Sequence, residues 1–86
     1  MNIDLLKDLC ETPGVPGREH RVRDLITREI EGLFDNVETD AMGSLLCRRD
    51  ATAGDGKAPK IMLLCHMDEI GFLVSHVSKD GFLYLQ

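Results

Sequence analysis

The apolar run from Ile61 to Cys65 is the sequence feature that most constrains how this chain folds. Five consecutive apolar residues are too few to cross a membrane. Pro59 and Lys60 bound the run on one side, and polar residues bound it on the other. A short apolar run of this kind is typical of a strand that is buried on both faces. We therefore predict a central buried strand here, which needs other elements to cover both of its faces.

Polar side chains begin abruptly where the predicted strand ends, with His66 and Asp68. In an extended chain, residues i and i+2 point to the same side, so these two side chains are expected to project together. One imidazole nitrogen can then bind a metal while the carboxylate accepts the N–H of the other nitrogen. Open α/β sheets bind ligands at the carboxyl ends of their strands. The pattern indicates a metal site at His66, and a hydrogen-bonded surface pair without metal is the alternative that the spacing leaves open.

Composition limits the class of protein to which the chain can belong. Its 86 residues are enough for one small domain or for part of a larger one. The net charge is −5 and the pI is about 5.0, which argues against nucleic-acid binding because that requires a basic face. The N-terminus lacks the basic and apolar regions of a signal peptide, and no run reaches transmembrane length. We expect a soluble, cytoplasmic protein with neither nucleic-acid nor membrane partners.

The three cysteines, Cys10, Cys47 and Cys65, are widely spaced and form no C-x-x-C motif. We therefore expect reduced, mostly buried thiols and no disulfide framework. A zinc cluster of these cysteines with His66 has no supporting spacing. A nucleophilic Cys65 activated by His66 is disfavoured, because neighbours in a strand point to opposite faces.

Periodicity and turn residues predict two helices followed by strands. The first helix is expected to begin at a cap on Asn2 or Asp4 and to end near Glu11, and the second to run from Arg18 to about Phe34. Further strands are expected at 37–40, 45–49, 70–77 and 82–85, the last two joined by an Asp80-Gly81 hairpin turn. Two helices are little cover for a buried strand, and the last strand leaves an apolar edge. We therefore expect this chain to be the N-terminal portion of a longer protein.

Three motifs resemble one known family in residues and in order. They are Leu9-Cys10-Glu11-Thr12-Pro13-Gly14-Val15-Pro16-Gly17-Arg18-Glu19, Thr39-Asp40-Ala41-Met42-Gly43 and His66-Met67-Asp68-Glu69-Ile70-Gly71-Phe72. Together they resemble the start of the M42-family metallo-aminopeptidases of the glutamyl-aminopeptidase and tetrahedral-aminopeptidase type. The resemblance covers essentially the whole chain, and the third motif is the most specific. One departure is Ser44, where relatives usually have Asn after the glycine.

The resemblance implies an α/β fold class. The chain would be the N-terminal part of a three-layer α/β/α co-catalytic metallopeptidase fold, truncated at the start of an inserted β domain used in dimerisation. Residues 1–70 would form part of the catalytic domain, and residues 71–86 would begin the inserted domain or a hairpin.

The resemblance also implies roles for residues of the third motif. His66 matches the family's first metal ligand, and Asp68 matches the catalytic-site carboxylate that orients this ligand. Glu69 belongs to the motif without a ligand role. Relatives hold two divalent metal ions, commonly zinc or cobalt, remove N-terminal residues from peptides and build large homo-oligomers. The bridging aspartate, the general-base glutamate and the other ligands would lie outside these 86 residues, so the chain alone is expected to be inactive and to bind no metal tightly.

Two alternatives to an aminopeptidase segment stay open at this point. The chain could be a non-catalytic α/β fragment or assembly module, or part of a related metal-dependent deacylase or carboxypeptidase in which His-x-Asp recurs. A continuation that carries Asp, Glu-Glu and His ligands would favour the enzyme over the module. Glu69-Ile70-Gly71 after Asp68 favours the aminopeptidase. A glycosidase is disfavoured because it needs two facing carboxylates, whereas the adjacent Asp68 and Glu69 diverge.

Overall fold

Two short helices and two separate antiparallel sheets make up the regular structure of the computed structural model, which describes every residue from Met1 to Gln86. In chain order the elements are α1 (Ile3–Glu11), α2 (His20–Glu29), β1 (Asn36–Thr39), β2 (Leu45–Arg48), β3 (Val74–Val77) and β4 (Leu83–Leu85). Strand β1 pairs with β2, and β3 pairs with β4. Neither helix has the length and apolar character that crossing a membrane requires.

Helix α1 begins and ends where its flanking residues predict. The side-chain oxygen of Asn2 accepts the backbone N–H of Leu5 at 3.0 Å, which satisfies one of the free donors of the first turn. Thr12 leaves the helix in an extended conformation, and Pro13 follows it. Because a proline disfavours helical geometry in the residue before it, the helix stops there. The predicted cap and the predicted end are both confirmed.

Helix α2 is shorter than the predicted span from Arg18 to Phe34. Arg18 lies in the preceding loop, where its N–H donates to the carbonyl of Val15 at 2.9 Å. After Glu29 the chain turns through Gly32, which has a φ of +76°. Such a left-handed glycine is a common helix terminator. The apolar spacing of Leu33 and Phe34 extends the helical sequence pattern past Glu29. The left-handed backbone at Gly32 does not allow the helix itself to continue.

The buried core is small and lies between α2 and the loop that precedes it. Val22 and Leu25 of α2 are the only buried apolar side chains, at 4% and 7% exposure. Gly14 of the loop is buried beside them. The radius of gyration is 18.2 Å, against about 12 Å for a compact chain of this length. The molecule is therefore elongated, and most of its apolar side chains are exposed.

The predicted buried strand from Ile61 to Cys65 is wrong for this chain. The segment is neither helix nor strand, and its backbone makes no hydrogen bond. Leu63 is 90% exposed and Leu64 is 82% exposed. A two-sided buried strand needs a neighbouring strand at its edge and cover on its faces. The chain supplies neither at this position, since both sheets are two-stranded hairpins made of other residues.

The C-terminal hairpin confirms its predicted turn and corrects its predicted length. Gly81 has a φ of +84°, and its N–H donates to the carbonyl of Ser78 at 3.0 Å. Strand β3 covers only the last part of the predicted 70–77 strand. Leu73, directly before β3, still exchanges two backbone hydrogen bonds of 2.9 Å with Gln86, whereas Gly71 packs against Val15 of the loop that precedes α2.

The prediction of mostly buried cysteines is also wrong. Cys10, Cys47 and Cys65 are all free thiols, and all three are exposed. They lie on α1, on β2 and at the end of the apolar run, and no second layer covers these elements.

Candidate metal centre

His66 and Asp68 meet as their spacing predicts, although the segment that carries them is not a strand. The imidazole Nδ1 lies 3.0 Å from Oδ1 of Asp68 and 3.0 Å from the backbone carbonyl oxygen of the same residue. Both partners are acceptors, so Nδ1 carries the proton and donates it. The imidazole is 84% exposed, and its other nitrogen, Nε2, makes no hydrogen bond. In this tautomer Nε2 has a free lone pair, which is the state that binds a metal.

The pair lines an open concavity of about 250 Å³. Three stretches of the chain form its walls, and they contribute Glu19, Met42–Leu45 and Cys65–Asp68. Each of the three motifs singled out in the sequence therefore supplies at least one lining residue. Sequence reasoning did not assign Glu19 or Ser44 to this site. The signal that could have found them is their position at or beside the motif ends.

One wall of the concavity is the turn between β1 and β2. Oδ1 of Asp40 accepts the backbone N–H of Met42 at 2.9 Å and that of Ser44 at 2.8 Å. The hydrogen bond from the Ser44 backbone, helped by the one from Met42, stabilises the charged carboxylate and holds the pKa of Asp40 below its ordinary value. Gly43 completes the turn with a φ of +90°. Arg23 of α2 donates from Nη1 to the Gly43 carbonyl at 2.8 Å, which ties the turn to the helix.

The opposite wall depends on the loop from Pro13 to Gly17. Oε1 of Glu19 accepts the backbone N–H of Gly17 at 2.6 Å and closes the loop at the start of α2. The carbonyl of Gly14 accepts the backbone N–H of Glu69 at 2.9 Å. Gly71 lies directly against the side chain of Val15. We call these two contacts, Glu69 with Gly14 and Gly71 with Val15, the loop contact. The loop contact brings the His66–Asp68 pair to the N-terminal end of α2.

The chain groups one histidine with one carboxylate, which is less than a complete metal site. No cluster of three or more His, Cys, Asp or Glu side chains is arranged to hold a metal ion. His66 fits the requirement for one ligand, and Asp68 fits that for its orienting partner. His76 lies elsewhere, on β3, with its ring 5.6 Å from that of Tyr84. Catalytic zinc sites commonly use three protein ligands, so the pair can supply only part of one.

Comparison with known proteins identifies the family. A sequence model of the M42 glutamyl aminopeptidase family matches residues 43–86. Among curated relatives, "Putative aminopeptidase FrvX" of Escherichia coli K12 is 40% identical over 96% of this chain. The lysyl aminopeptidase of Pyrococcus furiosus is 40% identical over 93% of the chain. The glutamyl aminopeptidase of Lactococcus lactis subsp. cremoris is 35% identical over 91% of it.

These relatives are all named as aminopeptidases. The chain belongs to the M42 glutamyl aminopeptidase family. It covers 22% of the first two relatives and 21% of the third, so it spans about a fifth of their length. The family resemblance predicted from the three motifs is confirmed, and two helices with two small antiparallel sheets are consistent with a piece of such a domain.

Proposed function

We propose that the protein carrying this chain is a two-metal-dependent aminopeptidase that removes N-terminal residues from peptides. The observation that carries the proposal is the 3.0 Å hydrogen bond between His66 Nδ1 and the Asp68 carboxylate, in a concavity walled by all three motifs. Family membership supports peptide hydrolysis as the reaction. His66 binds one of two divalent ions, zinc or cobalt. Asp68 is the catalytic-site carboxylate that orients the His66 imidazole.

Asp68 prepares His66 for metal binding in two ways. By accepting the proton on Nδ1 it fixes the tautomer, so the lone pair is on Nε2 and the ring cannot rotate freely. Its negative charge also makes the imidazole a better electron donor to a metal. When bound, a pair of divalent metals supplies an activated water and polarises the scissile carbonyl. An aspartate ligand and a general-base glutamate, which the family resemblance implies elsewhere in the intact protein, would complete the proposed site.

The charge of the concavity favours an aminopeptidase over a carboxypeptidase. Glu19 and Asp68 both line it, and none of its nine lining residues is Lys or Arg. Bound metals would offset the charge of Asp68, but Glu19 lies outside the proposed ligand set and can attract the protonated amine at a peptide N-terminus. Binding of a free C-terminus usually relies on a basic side chain, which this part of the site does not provide.

The same proposal assigns parts of the chain and the setting in which it works. Residues 1–70 belong to the catalytic α/β domain, and residues 71–86, which hold β3 and β4, begin an inserted β domain or hairpin. The intact protein acts in the cytoplasm as a homo-oligomer. The 86 residues alone are inactive, because His66 and Asp68 cannot by themselves bind two metals or take a proton from water.

An activity assay on the intact gene product tests the proposal. Leucine, glutamate and lysine anilides are the substrates, and N-acetylated leucine anilide is the matched control because it lacks the free amine. We expect turnover of at least one free-amine substrate, loss of turnover with a chelator, and recovery with zinc or cobalt. Equal turnover of the acetylated substrate, or full activity in the chelator, would contradict the proposal. Chelator-sensitive turnover by mass-verified residues 1–86 would contradict the inactivity of the chain alone.

A further inference from the structure

Apart from the backbone at its two ends, the segment that carries His66 and Asp68 is held against the rest of the chain by the loop contact. From Ala51 to Phe72 there is no helix or strand. A single hydrogen bond links these residues to the rest of the molecule, from the Glu69 N–H to the Gly14 carbonyl at 2.9 Å. The position of the candidate metal ligand relative to α2 therefore depends on the loop contact.

Both glycines of the loop contact stand where a side chain would not fit. A Cβ added at Gly14 would lie 2.6 Å from Cγ2 of Val22 and 3.4 Å from the carbonyl oxygen of Met67. A Cβ added at Gly71 would overlap Cγ1 of Val15. Neither glycine has a positive φ, unlike the six others in the chain. The requirement at these two positions is therefore one of space and not of backbone conformation.

We propose that Gly14 and Gly71 are positioning residues for the His66–Asp68 pair, because their missing side chains let the segment close onto the loop before α2. The absence of a side chain at Gly14 leaves space for both the Val22 side chain and the Met67 backbone. Gly71 accepts the side chain of Val15, which fixes the chain three residues beyond Asp68. The inference deepens the proposed aminopeptidase function and rests on it for its catalytic consequence. Its structural consequence, closure of the segment onto the loop, can be measured without any activity.

Paired substitutions in the intact gene product test this inference. Gly71→Ala introduces the overlap with Val15, and Val15→Ala removes the γ-carbons that cause it. In the double variant the added Cβ lies 3.4 Å from the Cβ of residue 15, a tight contact that a small shift relieves. Ala53→Val is the control, because residue 53 is exposed and outside the loop contact, whereas an alanine at any of the other six glycines would strain a backbone of positive φ. Gly14→Ala tests the second glycine independently.

Two readouts separate positioning from general damage. The first is hydrogen–deuterium exchange of peptides that contain residues 66–72, which reports closure of the segment. We expect faster exchange there in Gly71→Ala and in Gly14→Ala, and return toward wild type in Val15→Ala/Gly71→Ala. The second is kcat on a free-amine anilide. Displacement of a catalytic group by about 1 Å can cost about 100-fold, so we expect a loss of that order in Gly71→Ala and recovery in the double variant.

The outcomes distinguish this inference from the proposed function. Wild-type protein without aminopeptidase activity would overturn the proposed function, while the exchange pattern would still decide whether the glycines position the segment. Unchanged exchange and unchanged kcat in Gly71→Ala would overturn the inference. If Gly71→Ala does not fold, the double variant must fold, because its overlap has been removed. Failure of Val15→Ala to restore folding or exchange would also overturn it.

Discussion

Arg23 on α2 donates from Nη1 to the carbonyl of Gly43, 2.8 Å away, in the turn between β1 and β2. The helix that holds the buried core therefore also holds one wall of the concavity beside His66. Its N-terminal end meets the opposite wall through Glu19, whose carboxylate closes the Pro13–Gly17 loop. Helix α2 is thus the common support of both walls.

Removing the Arg23 side chain should loosen the turn wall. The bond is partly buried and its donor is charged, so Arg23→Ala should lower the free energy of unfolding by about 1.5 kcal/mol. It should also speed deuterium exchange around Met42–Ser44. Arg21→Ala is the matched control, since Arg21 lies on the same helix, is exposed and forms no ion pair or hydrogen bond through its side chain. Equal effects of the two substitutions would show that the Gly43 contact contributes nothing specific.

The turn wall should weaken in acid because of Asp40. The pKa of this carboxyl is lowered from its ordinary value of 3.8, chiefly by the hydrogen bond from the Ser44 backbone. A pKa that is lower in the folded state gives a stabilising contribution that is fully present above the unfolded-state pKa. That contribution is lost as the pH falls through the folded-state pKa.

Urea unfolding of wild type and Asp40→Asn, from about pH 6 to about pH 3, measures this contribution. Asparagine keeps an acceptor oxygen for the turn but has no charge to lose. We expect wild type to lose more stability on acidification than Asp40→Asn does. Parallel pH profiles for wild type and Asp40→Asn would contradict the assignment.

Local features of the fold followed from the sequence because they depend on neighbouring residues. The cap at Asn2, the stop before Pro13 and the turn at Gly81 each arise from the chemistry of adjacent residues. The His66–Asp68 bond belongs to the same class, since a spacing of two residues is enough to make it. Helix α2 was predicted too long because its apolar spacing continues past Gly32, whose conformation the spacing does not reveal.

Features that depend on distant residues were predicted less well. The run from Ile61 to Cys65 has the composition of a central strand, but burial requires partners that no periodicity within the run can provide. The exposed cysteines were mispredicted for the same reason. Glu19 and His66 line the same concavity because the loop contact brings their segments together, and such a contact between distant residues is not visible in the sequence.

The exposed apolar run should make the 86-residue chain associate with itself. Four consecutive large side chains, Ile61 to Leu64, are each at least 77% exposed. Burying one leucine side chain contributes about 1.5–3 kcal/mol, so contact between two copies would be favourable. Sedimentation over a dilution series should show concentration-dependent association. Leu63→Glu/Leu64→Glu should weaken it at least about tenfold, while Ala53→Glu, outside the run, should leave it unchanged. A single sharp monomer at all concentrations would contradict this prediction.

The central claim is that His66 binds a metal and that Asp68 supports it. His66→Ala removes a direct bond to the metal, whereas Asp68→Asn keeps the size of the side chain and removes only the orienting charge. Loss of such an orienting partner typically costs about 10- to 100-fold in metal affinity or activity. Both variants should therefore lower turnover, and His66→Ala should lose more metal. His76→Ala is the control, because that histidine lies on β3 against Tyr84 and not in the concavity.

The most direct measurement is the metal content per protomer of the intact gene product and of these variants, determined by elemental analysis after equilibration at the lowest free zinc concentration that saturates the wild type. We predict that His66→Ala loses one bound metal ion, that Asp68→Asn retains more metal than His66→Ala but less than wild type, and that His76→Ala matches wild type. Full metal occupancy and full turnover in His66→Ala would contradict the account, because the His66–Asp68 bond would then be a surface contact without a metal.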